Sequence, residues 1–87
     1  MDTLERRTGF VGIILENREC VEEVNHVLSE HSELILARLG LPRFKSGTPV
    51  ITLVVDATTD EMGALAGRLG KIKGVSVKSA LAKQAVQ

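Results

Sequence analysis

The sequence predicts an α+β fold, a two-layer sandwich in which a four-stranded antiparallel sheet carries two helices on one face. Three observations lead to this prediction. Four short runs are rich in β-branched or aliphatic residues, two segments have apolar residues at helical spacing, and these elements follow the order βαββαβ. This order is the ferredoxin-like split βαβ motif, in which right-handed connections place the first and third strands side by side in the middle.

The length and composition of the chain predict a single domain. A chain of 87 residues is too short for two hydrophobic cores, and its 44% of hydrophobic residues is enough to build one. We therefore expect one domain over residues 1–87, with an ordered core at about 7–82.

The first half of the chain contains a strand, a helix and a second strand. The aliphatic run from Phe10 to Leu15 is too short for an isolated helix and ends in a polar turn, which predicts a strand. Arg18 to His31 has apolar residues at i, i+3 and i+7, which predicts an amphipathic helix. Leu34 to Leu41 is predicted to be an edge strand, because Pro42 either ends it or sits where a missing N–H costs nothing.

The second half repeats this pattern. The run VITLVVD is almost entirely β-branched or leucine and predicts a strand. Thr58 followed three residues later by Glu61 matches a capping box, so a helix is expected to begin there and to end at Gly70 or Gly74. The run VSVKSAL alternates apolar and polar residues, as a half-exposed strand does.

Two glycines within the second predicted helix need a reason, because glycine destabilises a helix interior by roughly 1 kcal/mol relative to alanine. Gly63 and Gly67 lie one turn apart. We expect close approach of the first helix or of a neighbouring subunit at this position, with a ligand contact as the alternative.

The sheet face opposite the helices predicts self-association. In a monomer that face should be polar, yet the first strand places Phe10 and Ile14 on it and the third strand places Val50 and Val54 there. A contiguous exposed apolar patch is typical of an interface. We predict a homo-oligomer, a dimer or tetramer, formed over this face, with the predicted edge strand as a further pairing surface. The alternative is that the chain termini cover the patch.

A group of polar residues predicts a small-ligand site at one rim of the sheet. The prediction takes the central strands as parallel, so that their C-terminal ends meet beside two helix N-termini, where open sheets bind ligands. The acids there favour a cation or an ammonium-bearing ligand over phosphate. The alternative is that these residues only cap the helices. The candidate ligand-binding residues are Glu16, Asn17, Arg18, Asp56, Thr58, Thr59, Asp60 and Glu61.

Catalytic, metal and nucleic-acid chemistry have little support in the sequence. Cys20, His26 and His31 lack the i, i+4 spacing of a helical metal clip, and a metal at His26 would need ligands from a partner subunit. No Ser/His/Asp or Cys/His arrangement has supporting context, so we predict no catalytic residue, no cofactor and no enzymatic activity. Zero net charge and 2% aromatic residues argue against direct nucleic-acid binding.

The chain also lacks the signals of export or membrane insertion. No stretch approaches the roughly 20 apolar residues that span a bilayer, and the first ten residues have no apolar signal-peptide core. A single cysteine cannot form an internal disulfide. We therefore expect a cytoplasmic protein without membrane contact.

Three stretches carry a resemblance to a known family. GFVGIILENRE, RLGLP and VITLVVDATTDEMGALAGRLGKIKGVSVKSAL together resemble the iron-only hydrogenase system regulator family over nearly the whole chain. Membership implies an ACT-like fold, similar to the C-terminal domain of the nickel-responsive repressor, together with self-association and a regulatory role. The repressor's metal ligands lie mainly on strands, and no predicted strand here carries His or Cys, so the resemblance does not extend to nickel sensing.

ACT-like domains often bind amino acids near the first strand–helix loop, which by resemblance points to Glu16, Asn17 and Arg18. We therefore expect a non-enzymatic regulatory module that self-associates and senses a small effector. The alternative is a ligand-free assembly partner that docks on a hydrogenase maturation protein or a DNA-binding protein through its apolar face.

Overall fold

The architecture is the two-layer α+β sandwich that the sequence predicts. The computed structural model describes residues 5–41 and 47–83. Short 3-10 turns at Arg18–Cys20 and Ser32–Leu34 flank the first helix. The strands are β1 (Arg7–Leu15), β2 (Ile35–Leu41), β3 (Val50–Ala57) and β4 (Val75–Leu81), and the helices are α1 (Val21–Glu30) and α2 (Thr59–Gly70).

The sheet has the order β2-β3-β1-β4, with every neighbouring pair antiparallel, which confirms the ferredoxin-like prediction. β2 lies at one edge, as predicted for Leu34 to Leu41. Pro42, which was predicted to end this strand, falls outside the described residues.

One assumption behind the predicted ligand site is wrong, because the central strands β1 and β3 are antiparallel. Arg7 pairs with Ala57 and Ile14 pairs with Val50. In a βαββαβ chain each βαβ unit joins two parallel strands that are not neighbours, and the strand inserted between them runs the opposite way. The C-terminal ends of β1 and β3 therefore lie at opposite ends of the sheet.

The core lies between the sheet and the two helices. Every second residue of the central strands points into it, because side chains alternate between the faces of a strand. The residues that pack there with no exposed surface include Val11, Ile13 and Leu15 of β1, Leu53 and Val55 of β3, Val24 of α1, and Leu65 and Leu69 of α2. The intervening residues of β1 and β3 project from the opposite face.

Two glycines are required by the geometry of the sheet and its connections. A Cβ at Gly9 would lie 2.3 Å from the carbonyl oxygen of Ala80, so β4 can approach β1 this closely only at glycine. Gly74, in the turn between α2 and β4, has φ +86°, a conformation that side-chain-bearing residues rarely adopt.

The glycines on α2 have a different environment. Apart from the nearby backbone of α2 itself, no heavy atom of the described residues lies within 4 Å of the position that a Cβ would take at Gly63 or Gly67, and both residues are exposed. The predicted close approach of α1 is therefore wrong. A neighbouring subunit or a ligand at this surface stays a prediction.

Candidate functional site

The sheet face opposite the helices, which we call the free face, is apolar at its centre. Phe10 and Ile14 of β1 are 52% and 45% exposed, and Val54 of β3 is 38% exposed. Val50, the fourth residue predicted for this face, is half-buried and pairs with Ile14. Phe10 pairs directly with Val54, and Ile14 pairs directly with Val50, and directly paired residues project from the same face of a sheet. All four side chains share one face, because residues an even number of positions apart on a strand point the same way.

The edge strand β2 extends this apolar surface. Leu39 pairs with Thr52 and Leu41 pairs with Val50, so both leucines face the same side as Val54. Leu39 is 69% exposed. The sequence prediction did not include these leucines in the interface, although their i, i+2 spacing in a predicted edge strand was a signal for them. Leu36 is also exposed, at a register shift between Ile35 and Ala37.

The distribution of exposed apolar side chains is strongly one-sided. Within residues 5–41 and 47–83, all the exposed large hydrophobic residues belong to β1, β2 or β3, and none belongs to a helix. They are Phe10, Ile14, Leu36, Leu39, Leu41 and Val54. In this part of the chain the outer surfaces of the helices carry no large exposed apolar side chain, as is usual for a surface in contact with water. The free face and the edge strand β2 carry all of them, which is typical of an interface.

The acidic half of the predicted ligand site lies at the start of α2, where Asp56, Thr58 and Glu61 form hydrogen bonds with other groups of the same chain. The predicted capping box is present: the Thr58 hydroxyl accepts from the Glu61 backbone N–H at 3.1 Å, and the Glu61 carboxylate accepts from the Thr58 N–H at 2.9 Å. Arg6 donates to Glu61 Oε1 at 3.0 Å and to the Asp56 carbonyl oxygen at 2.6 Å. Thr59 and Asp60 are exposed in the first helical turn.

The other half of the predicted site lies at the opposite end of the sheet. Asn17 caps the 3-10 turn, because its Oδ1 accepts from the N–H groups of Glu19 at 3.0 Å and Cys20 at 3.3 Å. The Glu16 N–H donates to the Gly74 carbonyl at 2.7 Å, which ties this loop to the turn before β4. The structure therefore does not bring Glu16–Arg18 together with Asp56–Glu61, and the predicted rim is two separate places.

A cleft of about 540 Å³ opens beside this second end, between α1, β2 and the start of β3. Arg18 from the predicted site and Val50 from the predicted interface contribute to it. Arg38 on β2 donates to Asn25 Oδ1 on α1 at 2.6 Å across the cleft. The lining consists of Leu15, Arg18, Val21, Asn25, Arg38, Gly40, Leu41, Pro49, Val50 and Ile51.

Sequence reasoning missed Asn25 and Arg38, which lie on different elements. They meet only because α1 packs above β2 in this register, and no local spacing records that contact. The charge in this cleft is also opposite to the charge expected at the predicted site, since its ionised side chains are arginines.

A second charged group connects the two helices on their outer surface. Glu30 of α1 forms an ion pair with Arg68 of α2, and its other carboxylate oxygen lies 3.1 Å from His26 Nε2 one turn earlier. The hydrogen bond from Arg68 is the main cause that holds the pKa of Glu30 below its ordinary value of 4.5, with the charge of Arg68 and the nearby histidines acting in the same direction.

The remaining candidate metal ligands are dispersed. Cys20 is buried with its sulfur 3.2 Å from the Asn17 carbonyl, and His31 Nδ1 lies 2.9 Å from the Val27 carbonyl. Across the described residues, no three His, Cys, Asp or Glu side chains converge in a way that could hold a metal ion. The same part of the chain contains no helix with the length and hydropathy needed to cross a bilayer.

Comparison with known proteins agrees with this architecture. A family model named TM1266-like and described as "Iron-only hydrogenase system regulator, putative" matches residues 7–79. A search of curated proteins gave no match. The structure of protein TM1266 from Thermotoga maritima is 40% identical, covers 91% of this chain and 100% of its own, and superposes with a TM-score of 0.85. These findings confirm the family resemblance seen in the sequence.

More distant structures share the fold. The ACT domain of GTP pyrophosphokinase from Chlorobium tepidum is 20% identical over 86% of this chain and 99% of its own, with a TM-score of 0.72. The C-terminal domain of MgtC from Mycobacterium tuberculosis is 14% identical over 99% of this chain and 96% of its own, with a TM-score of 0.69. The ACT-like fold predicted from the sequence is thereby confirmed.

Proposed function

The chain belongs to the TM1266-like family of iron-only hydrogenase system regulators, and from this premise we propose that it is a non-enzymatic regulatory module that self-associates through the free face and senses a small effector. The observation that carries the proposal is the one-sided exposure of large apolar side chains on β1, β2 and β3. A second copy of the chain is the occupant, since it presents the same apolar surface and sheets pack face to face through such residues.

The size of this surface favours an association that is reversible. Burying a large apolar side chain completely stabilises by about 1.5–3 kcal/mol, so each half-exposed residue of the free face contributes roughly 1 kcal/mol. Two copies that each bury the five exposed residues of this face, Phe10, Ile14, Leu39, Leu41 and Val54, gain an amount of the same order as the 4–15 kcal/mol that association costs. The assembly state then responds to concentration and to modest additional binding energy, as a regulatory element requires.

The cleft beside β2 supplies a route from effector to assembly. Leu41 and Val50 line the cleft and also pair with each other at the margin of the free face. A ligand that contacts them affects side chains that a second copy would contact as well. Such a ligand shifts the assembly only by its difference in affinity for the two states.

Light scattering of the purified protein tests self-association. We expect the unmodified chain at tens of micromolar to have a mass that is a multiple of its 9.4 kDa protomer. Leu39→Lys should reduce that mass towards the protomer, because a charge would have to be buried at a position that is now mostly exposed. Ser29→Lys, on the exposed surface of α1, is the matched control and should leave the mass unchanged.

A protomer mass for the unmodified chain at these concentrations would contradict the proposal. The free face would then be better explained by a different protein partner, such as a hydrogenase maturation protein or a DNA-binding protein. Circular dichroism of Leu39→Lys and Ser29→Lys checks that both variants keep the fold, so that a change of mass reports on the interface alone.

A further inference from the structure

The cleft between α1 and β2 has a charge pattern that selects the sign of its ligand. Among the described residues that line it, Arg18 and Arg38 are the only ionised ones, and none is Asp or Glu. Asn25 is the other strongly polar side chain there. An ammonium group would meet no carboxylate in this cleft, whereas an anion would meet two guanidinium groups.

The two arginines are available for a ligand in different ways. Arg38 uses one Nη2–H on Asn25, and a guanidinium has five N–H donors, so four of them are not used within the described residues. The guanidinium of Arg18 makes no hydrogen bond or ion pair with the rest of the described chain. Both side chains are exposed, so they keep their charge in water and can still approach a ligand at the mouth of the cleft.

The interior of the cleft is apolar and has room. Its apolar lining includes Val21, Leu41 and Ile51, and the fully buried Leu15 lies beneath them. Among the described residues, apart from the two chain neighbours of Gly40, no heavy atom lies within 4 Å of the position that a Cβ would take there, so the absence of a side chain leaves space between β2 and α1. A volume of about 540 Å³ lies within the range of about 300–1,000 Å³ that is common for small-molecule sites.

We propose that this cleft binds a small organic anion, with its carboxylate or phosphate group held by Arg18 and Arg38 and its apolar part packed against Val21, Leu41 and Ile51. The inference rests on the proposed function in one respect, because it identifies the chemical class of the effector. A free amino acid fits less well, since the cleft offers its ammonium group no acidic partner. Arginine suits this role because its planar fork of donors matches the oxygens of both anions.

Probes that share one apolar tail test the charge requirement. Isopentyl phosphate, 4-methylpentanoate, the neutral 4-methylpentanamide and isopentylamine differ in their head groups. Titration followed by two-dimensional amide NMR should shift the signals of residues in α1 and β2 with one or both anions, and with neither the amide nor the amine. Inorganic phosphate should bind more weakly than isopentyl phosphate, because it has no group for the apolar lining.

Variants test which residues bind the anion. Arg18→Gln and Arg38→Gln should each weaken anion binding about tenfold or more, because each removes a charged hydrogen-bond donor. Arg68→Gln, which alters an arginine that pairs with Glu30 and does not line the cleft, is the control and should leave the affinity unchanged. Gly40→Val should weaken binding of the branched tail by filling the cleft, and valine is well suited to a strand.

Several outcomes would overturn the inference. They are no shift with either anion at millimolar concentration, equal binding of the amine, or equal affinity in the Arg18 and Arg38 variants. Light scattering of the same samples separates this inference from the proposed function. Anion binding by a chain of protomer mass would support the anion site and contradict self-association. An oligomer that binds no anion would support self-association and contradict the anion site.

Discussion

Both faces of the central strands carry large apolar side chains, but the helices cover only one of them. Ile13 has no exposed surface, while its neighbour Ile14 is 45% exposed. Leu53 and Val54 form the corresponding pair on β3. Side-chain alternation decides which face each residue joins, but it does not require the free face to be apolar. Apolar residues on that face therefore need an explanation outside the protomer, and association with a second copy provides one.

The largest expected effect comes from truncating the two neighbouring isoleucines. Ile13→Ala should lower the free energy of unfolding by about 2–5 kcal/mol, because it leaves a cavity in the core. Ile14→Ala should cost the isolated protomer much less than this, because Ile14 is already half in water. Urea unfolding at low protein concentration measures both values. Equal losses would show that the free face is covered within the protomer.

A glycine pair on β1 gives an intermediate effect. Gly9→Ala should lower the free energy of unfolding by about 1–3 kcal/mol, because its Cβ would overlap the backbone of β4 on the sheet face that carries the helices. Gly12→Ala places a methyl group on the free face, where the nearest atom is the Lys78 carbonyl oxygen at 3.9 Å, so its stability should stay close to that of the original chain. Thermal unfolding compares the two variants. A loss at Gly12 equal to that at Gly9 would contradict the picture of an open face.

The smallest expected effect concerns the polar outer surface of the helices. Because the pKa of Glu30 is lowered from 4.5, its pairing with Arg68 stabilises the fold fully above about pH 4.5 and loses this contribution as the pH falls through the lower folded pKa. The difference in unfolding free energy between the original chain and Glu30→Gln should therefore shrink on acidification. Glu16→Gln, in an exposed loop, is the control. A difference that grows at low pH would contradict this assignment.

The fold could be predicted from local patterns, because each element depends mainly on its own residues. The Thr58 and Glu61 capping box is one such pattern, and the alternation that places Phe10 and Val54 on the free face is another. The predicted ligand-binding residues do not lie together at one rim of the sheet, because their placement depends on the relative direction of β1 and β3. The site prediction treated β1 and β3 as parallel, although the predicted fold implies antiparallel neighbours.

Long-range side-chain contacts could not be predicted from the sequence, for a different reason. Arg6 reaches Asp56 across 50 positions, and Arg38 reaches Asn25 across 13, so no spacing rule connects them. The first contact neutralises part of the acidic group from which a cation site was predicted. The second contributes to a cleft of the opposite charge. Both results depend on the register of the sheet, which the sequence pattern does not specify residue by residue.

The most direct test of the central claim is the rate of thiol labelling of Thr52→Cys as a function of protein concentration. Position 52 is exposed at the centre of the free face, and the native Cys20 is buried, so the introduced thiol is the one expected to react quickly. We expect its labelling rate to fall as concentration rises through the range of association, while Ser29→Cys on the exposed surface of α1 keeps a constant rate. A rate at position 52 that does not change with concentration while the mass increases would contradict association through the free face.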